Sequence, residues 1–501
     1  MGARLLTTAQ KQLDRLLPDM GWGAPHAELC KRLASGGDER ITLDPATGLN
    51  RYLSAPYPRD VLAYSSSTIS DISPEAFAHL LDRSESLAAR PFNAQLDDVR
   101  ARIADALALD RGAARIAFAP SGTDLEYVAL ACVLGREEGG VHNILLGADE
   151  TGSGCIHSAH GRYFARQTAL GIATTKGDEV PGVGPVSLTD IPVRGATGAA
   201  RSSAEIAEAM AHEIARAAKE GRHALVHCVH GSKTGLVLPS LAEIDALQAR
   251  FGAAMTLVVD ACQARITNEA IAAYLARGAI VLMTGSKFIG APPFNGWALI
   301  PPVLADEARA LPAGFANIFC RAQWSAGWAG REALPDLSNL SLTLRLNAAL
   351  FELERFQALG MAQVEAQIEA FERAVESKLA RPLGLARVTP GEARAGLIEM
   401  RTLITLDVSS LPGCARFEDA AVLHRRLALE HGVRLGQPVK CVRRSAESGH
   451  DEGGGWGGTL RIGLSMPQMS RWAATGATTL DRDMRRIAAA ITQALDTAPV
   501  G

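Results

Sequence analysis

The stretch that decides the fold is Ala279-Ile-Val-Leu-Met-Thr-Gly-Ser-Lys-Phe-Ile-Gly-Ala-Pro-Pro-Phe294. Its apolar run, residues 279–283, is bounded by polar and turn residues, a pattern that predicts a core strand. Lys287 would then stand just beyond the end of that strand, in a loop rich in Gly and Pro. A lysine in such a place can lose its proton by desolvation and attack a carbonyl to form a Schiff base. The alternative is a solvated loop lysine, and this stretch alone does not decide between the two.

A second stretch, Leu257-Val-Val-Asp-Ala-Cys-Gln263, favours the chemical interpretation. Asp260 closes the apolar run 255–259, and a carboxylate at the end of a buried strand needs a cationic partner. The 27 residues from Asp260 to Lys287 suffice for one strand-helix-strand crossover, with the helix over Asn268–Ala276. Both side chains would then leave adjacent parallel strands at one sheet edge, where α/β proteins bind ligands. Enzymes that use pyridoxal 5'-phosphate (PLP) need an Asp at the pyridinium nitrogen and a Lys on the aldehyde.

The two motifs together carry a resemblance to a known superfamily. Asp260-Ala-Cys-Gln263 followed by Thr284-Gly-Ser-Lys287 resembles the fold-type-I PLP-dependent enzymes, and among them the class V aminotransferase and cysteine desulfurase group. The resemblance covers about residues 60–465. It implies an α/β protein with a mainly parallel, seven-stranded type of sheet in a large domain, plus a smaller α+β C-terminal domain. It also implies PLP as the cofactor, with Lys287 and Asp260 as the catalytic residues.

A candidate phosphate loop follows the strand Arg115–Ala119 and reads Pro120-Ser-Gly-Thr-Asp-Leu-Glu126. A Ser-Gly-Thr turn that opens a helix presents backbone N–H groups and hydroxyls to an anion. An ordinary helix N-cap explains the same residues. The resemblance assigns the PLP phosphate to this loop and to two hydroxyls beside the lysine, a set made of Ser121, Gly122, Thr123, Thr284 and Ser286.

Two further cofactor contacts depart from the group's pattern and leave alternatives open. Desulfurases place a His over the cofactor ring, whereas this chain has Thr151 at the matching position, so either Thr151 covers the ring or His157 reaches it. A core or surface histidine is the alternative for His157. The superfamily's Asn for the phenolic oxygen of PLP is replaced by Ser232, so Ser232, His230 and Gln263 are all candidates for that oxygen.

The substrate contacts are expected in two stretches. Arg461 lies among apolar residues in Gly457-Gly-Thr-Leu-Arg-Ile-Gly-Leu-Ser465, and a buried guanidinium needs an anion. The resemblance makes this arginine the ligand of the substrate α-carboxylate, with an internal salt bridge as the alternative. The hydroxyl run Ala63-Tyr-Ser-Ser-Ser-Thr-Ile-Ser70 is either a plain Ser/Thr loop or, as the class V group implies, part of the substrate pocket through Ser67 and Thr68.

Composition bounds the class of protein. The 501 residues, 47% of them hydrophobic, allow a large core and more than one domain. The net charge of -3 and the mixed charge pattern argue against a nucleic-acid or membrane-surface partner. The eight cysteines form no Cys-x-x-Cys pair and indicate reduced thiols of a cytoplasmic protein. No metal is expected, because the adjacent His227 and Cys228 would point to opposite faces of a strand.

Three regions are predicted. Residues 1–85 form an N-terminal arm and helix, residues 86–312 the large PLP-binding domain, and residues 313–501 a bridging segment, a long helix and the small C-terminal domain. An amphipathic helix is expected over residues 1–20, with apolar residues on or near one face: Leu5, Leu6, Leu13, Leu16 and Leu17. Four aromatics in the polar, Gly-rich segment 313–336 are expected to be exposed as an interface or substrate wall: Phe315, Phe319, Trp324 and Trp328.

The function expected from these residues is that of a PLP-dependent enzyme acting on a small amino acid through a Lys287 Schiff base. A lyase (elimination or desulfurase-like) or an aminotransferase fits, and the resemblance implies a homodimer. Desulfurases add a nucleophilic cysteine, for which Cys441 beside Lys440 is a candidate, although a bystander thiol is the favoured reading. The alternative is a non-catalytic binding or regulatory protein of the same fold, which loss of the Lys or the Asp would have indicated.

Overall fold

The computed structural model describes residues 23–65, 67–68, 70–152, 154–389, 397–444 and 455–496. The helix expected over residues 1–20 lies outside these residues. The α-helices are α1 (Ala24–Leu33), α2 (Pro74–Ala88), α3 (Phe92–Ala106), α4 (Leu125–Ala131), α5 (Cys155–Ala159), α6 (Ser203–Lys219), α7 (Leu241–Phe251), α8 (Asn268–Ala276), α9 (Pro302–Asp306), α10 (Leu340–Gln357), α11 (Met361–Ala374), α12 (Phe417–Glu430), α13 (Met466–Thr475) and α14 (Leu480–Asp496). Within the described ranges, no helix combines the length and the apolar character needed to cross a membrane.

The strands form one large sheet and two small ones. They are β1 (Leu62–Tyr64), β2 (Arg115–Ala119), β3 (Val141–Leu146), β4 (Val186–Ile191), β5 (His223–His230), β6 (Val237–Leu238), β7 (Met255–Asp260), β8 (Ile280–Thr284), β9 (Gly296–Ile300), β10 (Ala386–Arg387), β11 (Leu403–Asp407), β12 (Val433–Leu435) and β13 (Thr459–Gly463). The large sheet has the order β2-β9-β8-β7-β5-β3-β4, with the two-residue β6 beside β5. Strands β8, β7, β5, β3 and β4 run parallel, and β9 is antiparallel to both neighbours. The predicted mainly parallel sheet of the seven-stranded type is confirmed.

The crossover that carries the two anchor residues has the predicted form. Strands β7 and β8 are adjacent and parallel, with Asp260 opposite Leu282, and α8 covers the residues assigned to the connecting helix. The helix begins where Thr267 accepts a hydrogen bond from the N–H of Ala270, which satisfies a backbone donor at the helix start. Because parallel strands end at the same edge, Asp260 and the loop after β8 open on one side of the sheet.

The N-terminal arm contacts both the C-terminal part of the chain and the loop that follows Lys287. Strand β1 pairs in parallel with β12 of the C-terminal part, whose other sheet is the antiparallel set β10-β11-β13. Arg345, on the long helix α10, is fully buried and donates to carbonyl oxygens of Phe294, Leu33, Ser35 and Gly36. Burial lowers the pKa of this guanidinium to about 9. These bonds fasten the arm to the loop that follows Lys287.

The prediction for the aromatic segment is wrong. The side chains of Phe315, Phe319, Trp324 and Trp328 are all buried, and the rings of the two tryptophans lie 4.9 Å apart. They form one core cluster with Tyr127 and with residues of the large sheet, from β2 across to β3. The polar, Gly-rich backbone of the segment wraps over this cluster while the rings turn inward, since burying large aromatic surface outweighs the local polarity of the sequence.

A buried histidine of β5 makes stability depend on pH. His223 hydrogen bonds Thr256 through Nε2 at 2.9 Å, and burial, with a smaller effect of Arg136, lowers its pKa to about 4. The unfolded chain, with a histidine pKa of about 6.5, takes up a proton between pH 7 and 5 that the folded protein does not. This histidine should therefore lower the free energy of unfolding by about 2 kcal/mol over that range.

Urea unfolding at pH 7 and pH 5 measures the effect. We expect His223→Gln, which keeps a polar partner for Thr256, to show a smaller loss of stability on acidification than the wild type. The matched control is His212→Gln on the exposed face of α6, which should follow the wild type. Equal losses in His223→Gln and the wild type would contradict the assignment.

Candidate active site

A cavity of about 200 Å³ lies beyond the ends of β7 and β8. Among the residues considered for cofactor and substrate contacts, all line this cavity except His157, His230 and Ser232. The predicted residues that line it are Ser67, Thr68, Ser121, Gly122, Thr123, Thr151, Asp260, Gln263, Thr284, Ser286, Lys287 and Arg461. They come from the N-terminal arm, the large sheet and strand β13. Three distant parts of the sequence therefore meet in one place.

Lys287 is half-buried in the turn that follows β8. The N–H of Gly285 donates to Oδ1 of Asn295 at 2.7 Å, and a Cβ at Gly285 would lie 2.4 Å from that oxygen and 2.5 Å from Cβ of Ala349. Glycine is therefore required for the close turn that aims the lysine into the cavity. Within the described residues, the ammonium of Lys287 takes part in no salt bridge, so no carboxylate explains its position.

Asp260 closes β7 and keeps its carboxylate available. Its Oδ1 accepts the N–H of Cys262 at 2.9 Å, and in the part of the chain that the structure describes it has no salt bridge. The other carboxyl group of the cavity is Glu126, whose pKa is raised well above its usual range by burial and, to a smaller degree, by repulsion from Asp260. Burial therefore disfavours the charged form of Glu126, and the carboxyl group of Asp260 is the one at the end of β7 that a bound cation could face.

The candidate phosphate loop packs directly on the end of β8. A Cβ at Gly122 would lie 2.9 Å from Cγ2 of Thr284, so this position needs glycine for the loop to approach the strand. Ser121 donates its hydroxyl to Asp124, whose pKa is raised to about 7 by burial first and by Asp38 second. The hydroxyl of Thr284 donates to the carbonyl of Cys262 at 2.8 Å, which ties the ends of β7 and β8 together.

An arginine of the N-terminal arm, which sequence reasoning missed, also reaches this loop. Arg40 places Nη2 at 3.2 Å from Oγ of Ser121 and Nη1 at 3.4 Å from Oγ1 of Thr123, and it pairs with Asp38 at 2.6 Å. Its guanidinium lies over the ring of Phe164 at 4.9 Å. No local pattern predicts this contact, because Arg40 precedes the loop by about 80 residues and arrives through the packing of the arm.

Thr151 and His157, the two residues considered for covering the cofactor ring, differ in their position relative to the cavity. Thr151 lines the cavity, whereas His157 lies outside its wall on α5, where burial and the charges of Lys176, His160 and Arg162 lower its pKa. Of the two residues considered for the ring, the structure therefore brings Thr151 to the cavity.

Of the three residues considered for contact with the phenolic oxygen of PLP, one lines the cavity and two do not. Ser232 is buried behind the wall and donates to Oε2 of Glu150 at 2.7 Å. His230 bonds the hydroxyl of Tyr274 at 3.1 Å. Gln263 is the one of the three that lines the cavity.

Arg461 is a buried cation of β13 with no carboxylate partner among the described residues. Its Nε donates to the carbonyl of Gln437 at 2.7 Å and its Nη1 to the carbonyl of Lys233 at 3.1 Å. Burial lowers the pKa of this guanidinium to about 10. The internal salt bridge considered from the sequence is therefore not found, and the arrangement suits an anion entering the cavity.

Cys441 does not have the surroundings of a nucleophilic thiol. The side chain is buried, and burial raises its pKa to about 12, outweighing the nearby Arg194. A reactive cysteine needs a lowered pKa and access to solvent or substrate. The interpretation as a bystander thiol is the one that these surroundings favour.

The fold of the described residues is that of the fold-type-I PLP-dependent enzymes. The structure is similar to alanine–glyoxylate aminotransferase from Nostoc sp., at 16% sequence identity and a TM-score of 0.51, covering 87% of this chain and 96% of that one. It is similar to cysteine desulfurase from Thermococcus onnurineus NA1, at 16% identity and a TM-score of 0.51, with 86% and 95% of the two chains covered. It is also similar to a cystine C-S lyase, at 17% identity and a TM-score of 0.50, with 85% and 97% covered.

No protein-family model matches the chain, and no curated protein matches its sequence. The similarity therefore lies in the three-dimensional structure, and it confirms the fold that the Asp260 and Lys287 motifs predicted.

Proposed function

We propose that this protein is a PLP-dependent enzyme that acts on a small amino acid, with Lys287 bound to the cofactor as a Schiff base. The observation that carries the proposal is the meeting of Lys287 and Asp260 in one cavity, at the ends of adjacent parallel strands. Neither has a salt bridge within the described residues. A non-catalytic protein of this fold would have no need to keep both charges unpaired at the site.

The residues of the cavity fit the cofactor at each of its polar groups. Asp260 would hold the pyridine nitrogen, and the loop from Ser121 to Thr123 would bind the phosphate. Ser286 is the better hydroxyl donor to the phosphate, since Thr284 already donates to a carbonyl. Thr151 would cover the ring, and Gln263 would reach the phenolic oxygen. When bound, PLP supplies an electron sink for a bond at the substrate Cα.

The protein's own residues then position the substrate and move its protons. Arg461 would bind the α-carboxylate in bidentate fashion and so fix which Cα bond is aligned for cleavage. Ser67 and Thr68 would contact the rest of the substrate from the N-terminal arm. Lys287 would act as general base and acid at the substrate Cα.

The reaction that we propose is that of a lyase or an aminotransferase. The similar structures include enzymes named for aminotransfer and for C–S cleavage. The surroundings of Cys441 argue against a desulfurase mechanism through that thiol. We further propose a cytoplasmic location, in keeping with eight cysteines that are all free and buried. We also propose a homodimer, which the resemblance to the class V group implies.

Product analysis on the PLP-reconstituted protein tests the proposal. The protein is incubated with each proteinogenic amino acid while its visible absorption band is followed. Formation of one 2-oxo acid per active site, with further turnovers only after a second 2-oxo acid is added as amino acceptor, indicates aminotransfer. Continuous release of ammonia with a 2-oxo acid, or of sulfide, indicates a lyase. A protein that gains no visible band with PLP, or forms no product from any amino acid, would overturn the proposal.

A further inference from the structure

A second lysine, Lys233, enters the same cavity from the turn after β5. Its Nζ donates to the carbonyl of Asp149 at 2.8 Å, which uses one of its three N–H donors. Its own backbone carbonyl accepts from Nη1 of Arg461 at 3.1 Å, so the backbone of Lys233 is in direct contact with the guanidinium of Arg461. In the described part of the chain, neither Lys233 nor Arg461 forms a salt bridge.

The carboxylate with the largest effect on Lys233 is already engaged elsewhere. Glu150 is buried and pairs with Arg194 through Oε1. Its Oε2 accepts the hydroxyls of Ser232 and Thr234. The charge of Glu150 is therefore balanced on its own side of the wall, and Lys233 remains without a direct anionic partner.

On this side of the cavity, as far as the structure describes it, cationic side chains outnumber the carboxylates that could pair with them. Burial, followed in order of effect by repulsion from Arg461 and Lys287, lowers the pKa of Lys233 to about 8. In the proposed function, Arg461 is matched by the α-carboxylate of the substrate and Asp260 by the pyridine nitrogen. Arg40 is matched by Asp38. Of the cations of the described cavity wall, Lys233 is the one to which the proposed function assigns neither a carboxylate nor the cofactor, and its backbone contacts Arg461.

We propose that Lys233 binds a second anionic group, at the end of the substrate's side chain. The inference rests on the proposed function and narrows its substrate class to small amino acids with a side-chain carboxylate, sulfinate or sulfonate. Arg461 and Lys233 then form a pair of cations for a dianionic substrate. A charged hydrogen bond of this kind should favour an acidic substrate over its amide by about 10- to 100-fold.

Two measurements on the PLP-reconstituted protein test the proposal. The first compares kcat/KM for aspartate with asparagine, and for glutamate with glutamine, in the wild type and in Lys233→Met. The second measures, by calorimetry, the binding of succinate and glutarate against butyrate, which needs no turnover. We expect Lys233→Met to lose about 10- to 100-fold in kcat/KM and in affinity for the dianionic ligands, with little change for the singly charged ones.

The controls separate this proposal from the one on which it rests. Lys219→Met, on the exposed end of α6, should behave as the wild type. Lys233→Arg retains the positive charge and should keep the preference for acidic ligands. This variant keeps the proposal testable if Lys233→Met does not fold. A wild-type preference for neutral amino acids, or a fall in PLP affinity in Lys233→Met with unchanged ligand selectivity, would overturn the role of Lys233 and leave the PLP enzyme intact. Failure to bind PLP at all would instead overturn the proposed function.

Discussion

Lys287→Ala is expected to abolish covalent attachment of PLP and to lower kcat/KM by at least about 10⁴-fold. The variant loses both the amine that bonds to the cofactor and the group that moves the proton at Cα. Asp260 and the loop from Ser121 to Thr123 remain, so the variant should still bind PLP, but dialysis should remove it. The side chain is half-buried and has no salt bridge within the described residues, so the fold should persist.

Absorption spectra before and after dialysis, with steady-state kinetics on the best substrate, measure this effect. Lys219→Met serves as the control for a lost lysine on the surface. A Lys287→Ala protein that keeps its visible band through dialysis, or that turns over within tenfold of the wild type, would contradict the role given to this residue.

Asp260→Asn is expected to lower kcat by about 10²- to 10³-fold while leaving the fold intact. The amide oxygen can still accept the N–H of Cys262, a contact that Asp260 makes at 2.9 Å. The amide carries no charge, however, and cannot hold a proton on the pyridine nitrogen. Burial raises the pKa of Glu126, the other carboxyl group of the described cavity wall, so this residue should not replace the lost charge.

The matched control is Asp245→Asn, which removes an exposed carboxylate from the far side of α7, where it pairs with Arg277. Kinetics and thermal unfolding of both variants separate a chemical loss from a structural one. Activity of Asp260→Asn within threefold of the wild type, at equal stability, would show that this carboxylate has no part in the reaction.

The sequence predicted the parts of the site that local pattern determines. The crossover from β7 to β8 followed from two apolar runs, a helical segment between them and the charged residues at their ends. The glycines at positions 122 and 285 stood in motifs whose close turns the structure shows. Strand β13 was found because Arg461 is a charge in an apolar run.

The remaining features depend on contacts between distant residues. Arg40 reaches the phosphate loop only because the N-terminal arm packs there, and the pKa of Glu126 is raised because the fold buries it. Lys233 lies in the same turn as Ser232, and its contact with Arg461 joins residues that are more than 200 positions apart in the sequence. The aromatics of segment 313–336 were misjudged because a polar backbone segment can cover a core that only the tertiary structure reveals.

The most direct test of the central claim is borohydride reduction of the PLP-reconstituted wild-type protein, followed by peptide mass mapping. Reduction fixes the bond between the cofactor and its lysine, so the modified peptide names the residue. We expect a single phosphopyridoxyl group on Lys287. A label on Lys233 instead, the other lysine of the described cavity wall, or no label at all, would contradict it.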